Sequence, residues 1–411
     1  MYNYGKLPIQ GRYIMARTTG VVSRGIRCPI IREGDDLVTI VRDSVMDAVR
    51  EENIKVHDRD IVGVTEAVVA RAQGNYCTCD DIAANVKSKF GDRTVGLIFP
   101  ILSRNRFSLI LKGIARGARK IVLMLSYPSD EVGNHLVSLD KVDEEGINPY
   151  SDLLTEEEYR SHFGYQKHEF TGVDYVEFYR DLITAENCEA EIIFANSAVR
   201  ILEYTDSVIC ADIHTRARSK RLLKKAGASI VLGLDDLMTK SINGSGFNSE
   251  YGLLGSNKAT ENTLKLFPRD AQVFAENLSA SLSEATGKKI EALVYGDGAF
   301  KDPQGKIWEL ADPVVSPGYT SGLSGLPNEV KLKYLADNDF ASLKGDELKA
   351  AMKEYISHKD ADLKGQMVSQ GTTPRKITDL IGSLCDLTSG SGDKGTPVIF
   401  IQGYFDTYAD E

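Results

Sequence analysis

Residues 94–127 read TVGLIFPILSRNRFSLILKGIARGARKIVLMLSY. Two short apolar runs, TVGLIFPI at 94–101 and KIVLMLSY at 120–127, enclose FSLILKGIARGA at 107–118, a helical pattern. Apolar runs without polar alternation suit strands buried on both faces, and a helix between two of them predicts a βαβ unit. The texture continues outward through AEIIFAN at 190–196, DSVICADI at 206–213 and ASIVLGL at 228–234. Between these runs lie the helical patterns YVEFYRDLITAENC at 175–188 and TRARSKRLLKKAGA at 215–228. Such alternation predicts a mainly parallel sheet within residues 79–240. No G-x-G-x-x-G opens a helix there, which argues against a dinucleotide site. The segment 129–167, rich in Asp, Glu and Tyr, reads as a long surface excursion.

On either side the pattern changes. Val38, Val41, Val45 and Val49 recur at helical spacing between Leu37 and Arg50, with Asp35 or Asp36 as the N-cap. DRDIVGVTEAVVARAQGNY at 58–76 reads as a turn, a buried strand over Ile61–Val64 and a helix carrying Arg71. Beyond residue 240, SINGSGFNSEYGLLGSN is a loop cluster, and PRDAQVFAENLSASLSEATG is an amphipathic helix with Gly287 past its end. KIEALVYGDGAF is a strand running into an acidic turn, 328–388 is mainly helical, and SGSGDKGTPVIFIQGY is a glycine-rich loop followed by a buried strand.

The 411 residues carry 49 basic and 59 acidic side chains, a formal charge of −10. An acidic surplus argues against nucleic acid as a partner, because phosphate neutralisation needs excess Lys and Arg. No apolar run reaches the ~20 residues that cross a bilayer, and the N-terminus lacks a secretory pattern, so a cytoplasmic protein without membrane partners is expected. Six scattered cysteines fit a reducing compartment, and Cys77 with Cys79 lacks the second pair that a zinc site wants.

Four segments offer chemistry. In VYGDGAFKDPQGKIWELADP at 294–313, Asp297 ends a strand, and Asp302, Glu309 and Asp312 follow. Carboxylates at a strand mouth suit a hard divalent cation, Mg²⁺ or Mn²⁺, although D-G is also an ordinary turn dipeptide. SGSGDKGTP at 389–397 offers small residues and Lys394 to phosphates, and reads equally as a hairpin loop; it lacks Walker A spacing. Arg104 and Arg106 follow a strand and lead into a helix, positions from which arginines clamp a carboxylate or phosphate, or are simply solvated. Asp212 and His214, two apart on one strand face, can share a ligand or form a structural hydrogen bond.

Four collinear blocks resemble the γ-glutamyl ligases that add glutamate to the deazaflavin coenzyme F420. They are RGIRCPIIREGDDLVTIV at 24–41, DRDIVGVTEAVVARAQG at 58–74, YGLLGSN at 251–257 with LFPRDAQVFAENLSASLSEATGKKIEALVYGDGAF at 266–300, and LTSGSGDKGTPVIFIQGY at 387–404. The resemblance implies a reaction using GTP or ATP and a divalent metal, in which an acyl phosphate forms and the amine of glutamate displaces phosphate. By position it implies that Asp297 is a metal ligand. Asn257, Arg71, the loop containing Gly390, Gly392, Lys394, Gly395 and Thr396, and Gly25 with Ile26 would contact nucleotide. The sequence departs from the family pattern at three points: Leu254 stands at a metal-binding Asp, Gly298 at the Thr after the metal Asp, and Ala67 at the first Lys of the second block. Either Asp302, Glu309 or Asp312 replaces the lost ligand, or the metal has moved, only one metal remains, or the nucleotide reaction has been lost.

The expectation is an α+β fold. A ligase-like mixed body forms from 1–78 and 241–411, and an inserted α/β unit of βαβ type spans 79–240. The expected function is a nucleotide- and metal-dependent ligase joining an amino acid, glutamate, to a small carboxylated acceptor, with Arg104 and Arg106 holding that acceptor. No catalytic residue is assigned. Small molecules are the expected partners, and the resemblance implies a homodimer. The alternative is a non-catalytic relative that binds small molecules or acts as a scaffold; a further one is a different enzyme centred on Asp212 and His214.

Overall fold

The computed structural model describes residues 19–169, 171–297, 312–369, 375–389 and 392–410. The fold is α+β, built on three sheets. Both ends of the chain meet in a five-stranded mixed sheet, in the order Val22–Ile26, Val398–Gln402, Ile61–Thr65, Glu291–Tyr295 and Gly318–Tyr319. The first strand pairs with Val398–Gln402 antiparallel, and Ile61–Thr65 pairs with Glu291–Tyr295 parallel.

The central strands of this sheet are covered on both faces. Val62, Val64, Val294 and Phe400 pack under the helices Leu37–Glu51 and Ala271–Thr286, which contribute Val41, Val45, Leu278 and Leu282. Asp36 caps the first helix, its Oδ1 accepting from the Thr39 N–H at 3.2 Å. Gly287, in the left-handed region at φ +65°, ends the second. Ile61, Leu293 and Ile399 face the helix Ile377–Ser389 through Ile381 and Cys385. At Gly63 a Cβ would lie 2.5 Å from the Cys385 sulfur, so only glycine lets this helix approach so closely.

All five strands expected from the apolar runs between 94 and 234 form, and they are parallel: Glu189–Phe194, Lys120–Leu125, Val95–Ile98, Ser207–Cys210 and Ile230–Gly233, in that spatial order. The order reverses between Val95–Ile98 and Ser207–Cys210, the switch point of a doubly wound sheet. A sixth strand, Leu154–Thr155, joins antiparallel at the edge. It belongs to segment 129–167, which is therefore built into the fold and is not a surface excursion. In the helix Glu156–Phe163, Glu157 and Glu158 are exposed while Tyr159 and Phe163 are buried, and Tyr159 stacks on Phe194 with ring centroids 4.0 Å apart. Acidic composition hid an amphipathic helix.

A three-stranded sheet, Asn257–Lys258, Thr263–Lys265 and Tyr76–Thr78, links the two larger ones. Its Cys77 and Leu264, with Leu253, Leu254 and Leu266, share one core with the helices Cys79–Phe90 and Phe107–Gly117. The helices Leu332–Asp337 and Gly345–Ser357 close a separate small core around Leu335 and Met352. No helix among the described residues is long and apolar enough to cross a membrane.

Candidate active site

The strands of the five-stranded sheet empty into a cleft of about 470 Å³. Four distant parts of the chain wall it: Cys28 to Ile31, Thr65 to Val68 with Arg71, Tyr295 to Asp297, and Asp386 and Ser389 with Gly392 and Lys394 to Pro397. The C-terminal loop is held by its backbone, with the Cys28 N–H donating to the Gly395 carbonyl at 3.2 Å and the Thr65 N–H to that of Pro397 at 3.0 Å. Gly392 and Gly395 have φ of +72° and +67°, which ordinary side chains disfavour, so the turn depends on them. Gly25 packs against Thr396, where a Cβ would meet the threonine side chain at 3.0 Å.

The same cleft holds acids. Asp297 follows the strand Glu291–Tyr295 directly, and its N–H donates to Asp312 Oδ2 at 2.9 Å. Arg106 reaches both carboxylates, Nη2 donating to Asp297 Oδ2 and Nη1 to Asp312 Oδ1, each at 2.7 Å. The side chain of Asp297 is 41 % exposed and that of Asp312 only 1 %. Burial and the neighbouring Asp312 push the Asp297 carboxyl up to about 6, against the pull of Arg106. Nearby, Lys265 Nζ donates to both oxygens of Glu66, a cleft-lining residue, at 2.6 Å, and both side chains are buried. Burial pushes the Glu66 carboxyl up to about 7 against that ammonium.

Of the expected residues, Arg71, Asp297, Gly392, Lys394, Gly395 and Thr396 line this cleft. Ile26 is buried in the core beneath it. Asn257 lies on the small sheet, outside the cleft lining. Arg104 is exposed, and its carbonyl accepts from the Ser108 hydroxyl. Arg106 faces acids, where the sequence suggested an anionic substrate. Gly298, Asp302, Glu309 and Gly390 lie outside the described residues. Glu66 and Lys265 were missed. The only signal was an acid directly after a buried strand and a lysine within an apolar stretch.

Asp212 and His214 do not lie on one strand face. The strand ends at Cys210, before either residue, so alternation no longer sets their directions. Asp212 is buried and accepts from the hydroxyls of Thr215 and Ser219 at 2.7 Å, whereas His214 is exposed. The N–H groups of Ile213, His214 and Thr215 instead donate to the carboxylate of Glu131. At the switch point nearby, Ile101, Phe107, Ile110, Ala211, Ile213 and Leu254 line an apolar crevice of about 30 Å³.

Among the described residues no group of three His, Cys, Asp or Glu side chains is placed to hold a metal. The donor set at Asp297 and Asp312 nevertheless fits a hard cation: two carboxylates are fixed side by side, and a guanidinium already stands in as their cation.

Carboxylates and a lysine-bearing glycine loop thus line one cleft. The family model for F420-0:gamma-glutamyl ligase matches residues 25–403, nearly the whole chain, and the protein belongs to that family. The span of the match includes the six-stranded sheet. No match was found among curated proteins.

Proposed function

We propose that the protein is a nucleotide- and metal-dependent amide ligase that joins glutamate to a small carboxylated acceptor, the reaction class named by its family. One observation carries this reading. The glycine loop Gly392–Thr396, Arg71 and Asp297, which come from three of the resembling blocks, line a single cleft. Lys394 and Arg71 bring positive charge to the phosphates of GTP or ATP, and the turn at Gly392 and Gly395 lets backbone approach them. Asp297 and Asp312 would hold Mg²⁺ or Mn²⁺, which supplies charge neutralisation for phosphoryl transfer. An acceptor carboxylate oxygen attacks the γ-phosphorus, the nucleoside diphosphate leaves, and an acyl phosphate forms. The amine of glutamate then attacks the acyl carbon and phosphate departs. The protein's part is to align these groups and exclude water from the acyl phosphate.

The test is calorimetric titration of GTP and of ATP with Mg²⁺ or Mn²⁺, followed by assays of glutamate-dependent phosphate release with carboxylated acceptors, F420-0 among them. Binding with glutamate-dependent release supports the reading. Silence for both nucleotides together with no phosphate release overturns it. A second reading, a ligand-binding relative without catalysis, draws on Leu254, which is buried in the apolar crevice and offers no oxygen to a cation. It requires Asp297→Ala to leave nucleotide affinity unchanged.

A further inference from the structure

Arg106 comes from the start of the helix Phe107–Gly117, beside the six-stranded sheet, yet its guanidinium lies on the two acids of the other sheet. The backbone of its turn is pinned: the Lys258 N–H donates to the Asn105 carbonyl at 2.7 Å, and the Arg106 N–H to the Ser103 hydroxyl at 3.1 Å. These bonds hold the turn from which the side chain reaches the acids. The two arms of its fork also differ. Asp312 is buried and accepts from the Asp297 N–H as well, whereas Asp297 is open to the cleft. Among the described residues Glu66, Asp297 and Asp312 stand beside Arg106 and Lys265, Asp386 is near enough to act on Asp297, and Lys265 is committed to Glu66.

We infer that Arg106 is a displaceable resident cation. Its Asp297 arm and a divalent metal ion are alternative partners of that carboxylate, and metal loading shifts the arm away while the Asp312 arm holds. The inference rests on the proposed metal dependence and extends it, because it assigns a gating role to a residue from the neighbouring sheet. Like charges repel, so a guanidinium and a metal ion on the same exposed oxygens each weaken the other's hold. With the arm in place the acids are neutralised and kept together. With it displaced, its N–H groups are free for an anionic group on the substrate.

The experiment titrates Mn²⁺, alone and with a non-hydrolysable GTP analogue, into the full-length protein and into the Arg106→Met, Arg106→Lys and Asp297→Asn variants. Bound metal is read by electron paramagnetic resonance. The expected result is that Arg106→Met binds Mn²⁺ about tenfold more tightly or better than the wild type, Arg106→Lys falls between, and Asp297→Asn loses the site. If Arg106→Met does not fold, Arg106→Lys alone carries the test, because a single ammonium cannot hold both acids as the fork does. Unchanged or weaker Mn²⁺ affinity on removing the guanidinium overturns the inference and leaves the metal-dependent reading standing. Absence of Mn²⁺ binding in every form, with and without nucleotide, overturns both.

Discussion

The two large sheets end their strands in opposite ways. In the six-stranded sheet the loops beyond the carboxyl ends bind several of their own polar groups, although Asp212 Oδ1 is buried with no hydrogen-bond partner among the described residues. Asp212 is held by Thr215 and Ser219, and Glu131 takes the N–H groups of residues 213–215. Asp130 likewise accepts from the Leu102 N–H. What remains at the switch point is a crevice of about 30 Å³. In the five-stranded sheet the ends of Ile61–Thr65 and Glu291–Tyr295 open into about 470 Å³ lined by acids and the glycine loop. A doubly wound sheet offers a crevice by topology, but loop chemistry decides whether it is a site. Here the mixed five-stranded sheet holds the cleft, and the mainly parallel sheet lends it one arginine.

The largest effect should come from the buried Glu66–Lys265 pair, whose Glu66 lines the cleft. Lys265→Met leaves Glu66 buried without its cation, and unfolding free energy measured in urea should fall by about 3–5 kcal/mol. The double variant Glu66→Gln with Lys265→Met should recover most of that loss. A fall below about 1 kcal/mol would show that the pair is not the buried link described. Next, Asp297→Asn should lower glutamate-dependent phosphate release by about 10²-fold or more while the thermal midpoint stays near the wild-type value. Activity that survives this change would move the chemistry away from the five-stranded sheet.

Asp212→Ala sharpens the contrast from the other side. Loss of its bonds to Thr215 and Ser219 should cost about 1–3 kcal/mol of stability and leave turnover intact. A selective loss of turnover would make the switch point functional after all. The smallest effect concerns Cys28, which lies in the cleft lining and is the one cysteine not buried. Burial raises its thiol above the ordinary value near 9.0, so less thiolate is present at pH 8 than in a free thiol. Alkylation should therefore be slow at pH 8 and still climbing beyond pH 9, and nucleotide should slow it further. A single thiol should label in the native protein, and insensitivity to nucleotide would remove Cys28 from the bound face.

Much of the fold was legible because local patterns suffice where burial is two-sided. The five apolar runs became five parallel strands, and Asp36 and Gly287 bound their helices as capping chemistry requires. Segment 129–167 was misread because its composition is set by an exposed face while its packing is set by Tyr159 and Phe163. At the site, Asp297 and the glycine loop could be found from strand ends and small residues. Their proximity to Arg106 could not, since 191 residues separate Arg106 from Asp297 and 199 separate Glu66 from Lys265. Such pairings follow from topology and leave no local periodicity.

The position of Val398–Gln402 has a consequence for biosynthesis. It lies between Val22–Ile26 and Ile61–Thr65, so the early strands wait for a neighbour made more than three hundred residues later. The parallel sheet, complete by Gly233, can close while the ribosome is still extending the chain. During that interval Ile61–Thr65 has an open flank, and a chaperone or a premature stop would act on the nascent chain at that edge.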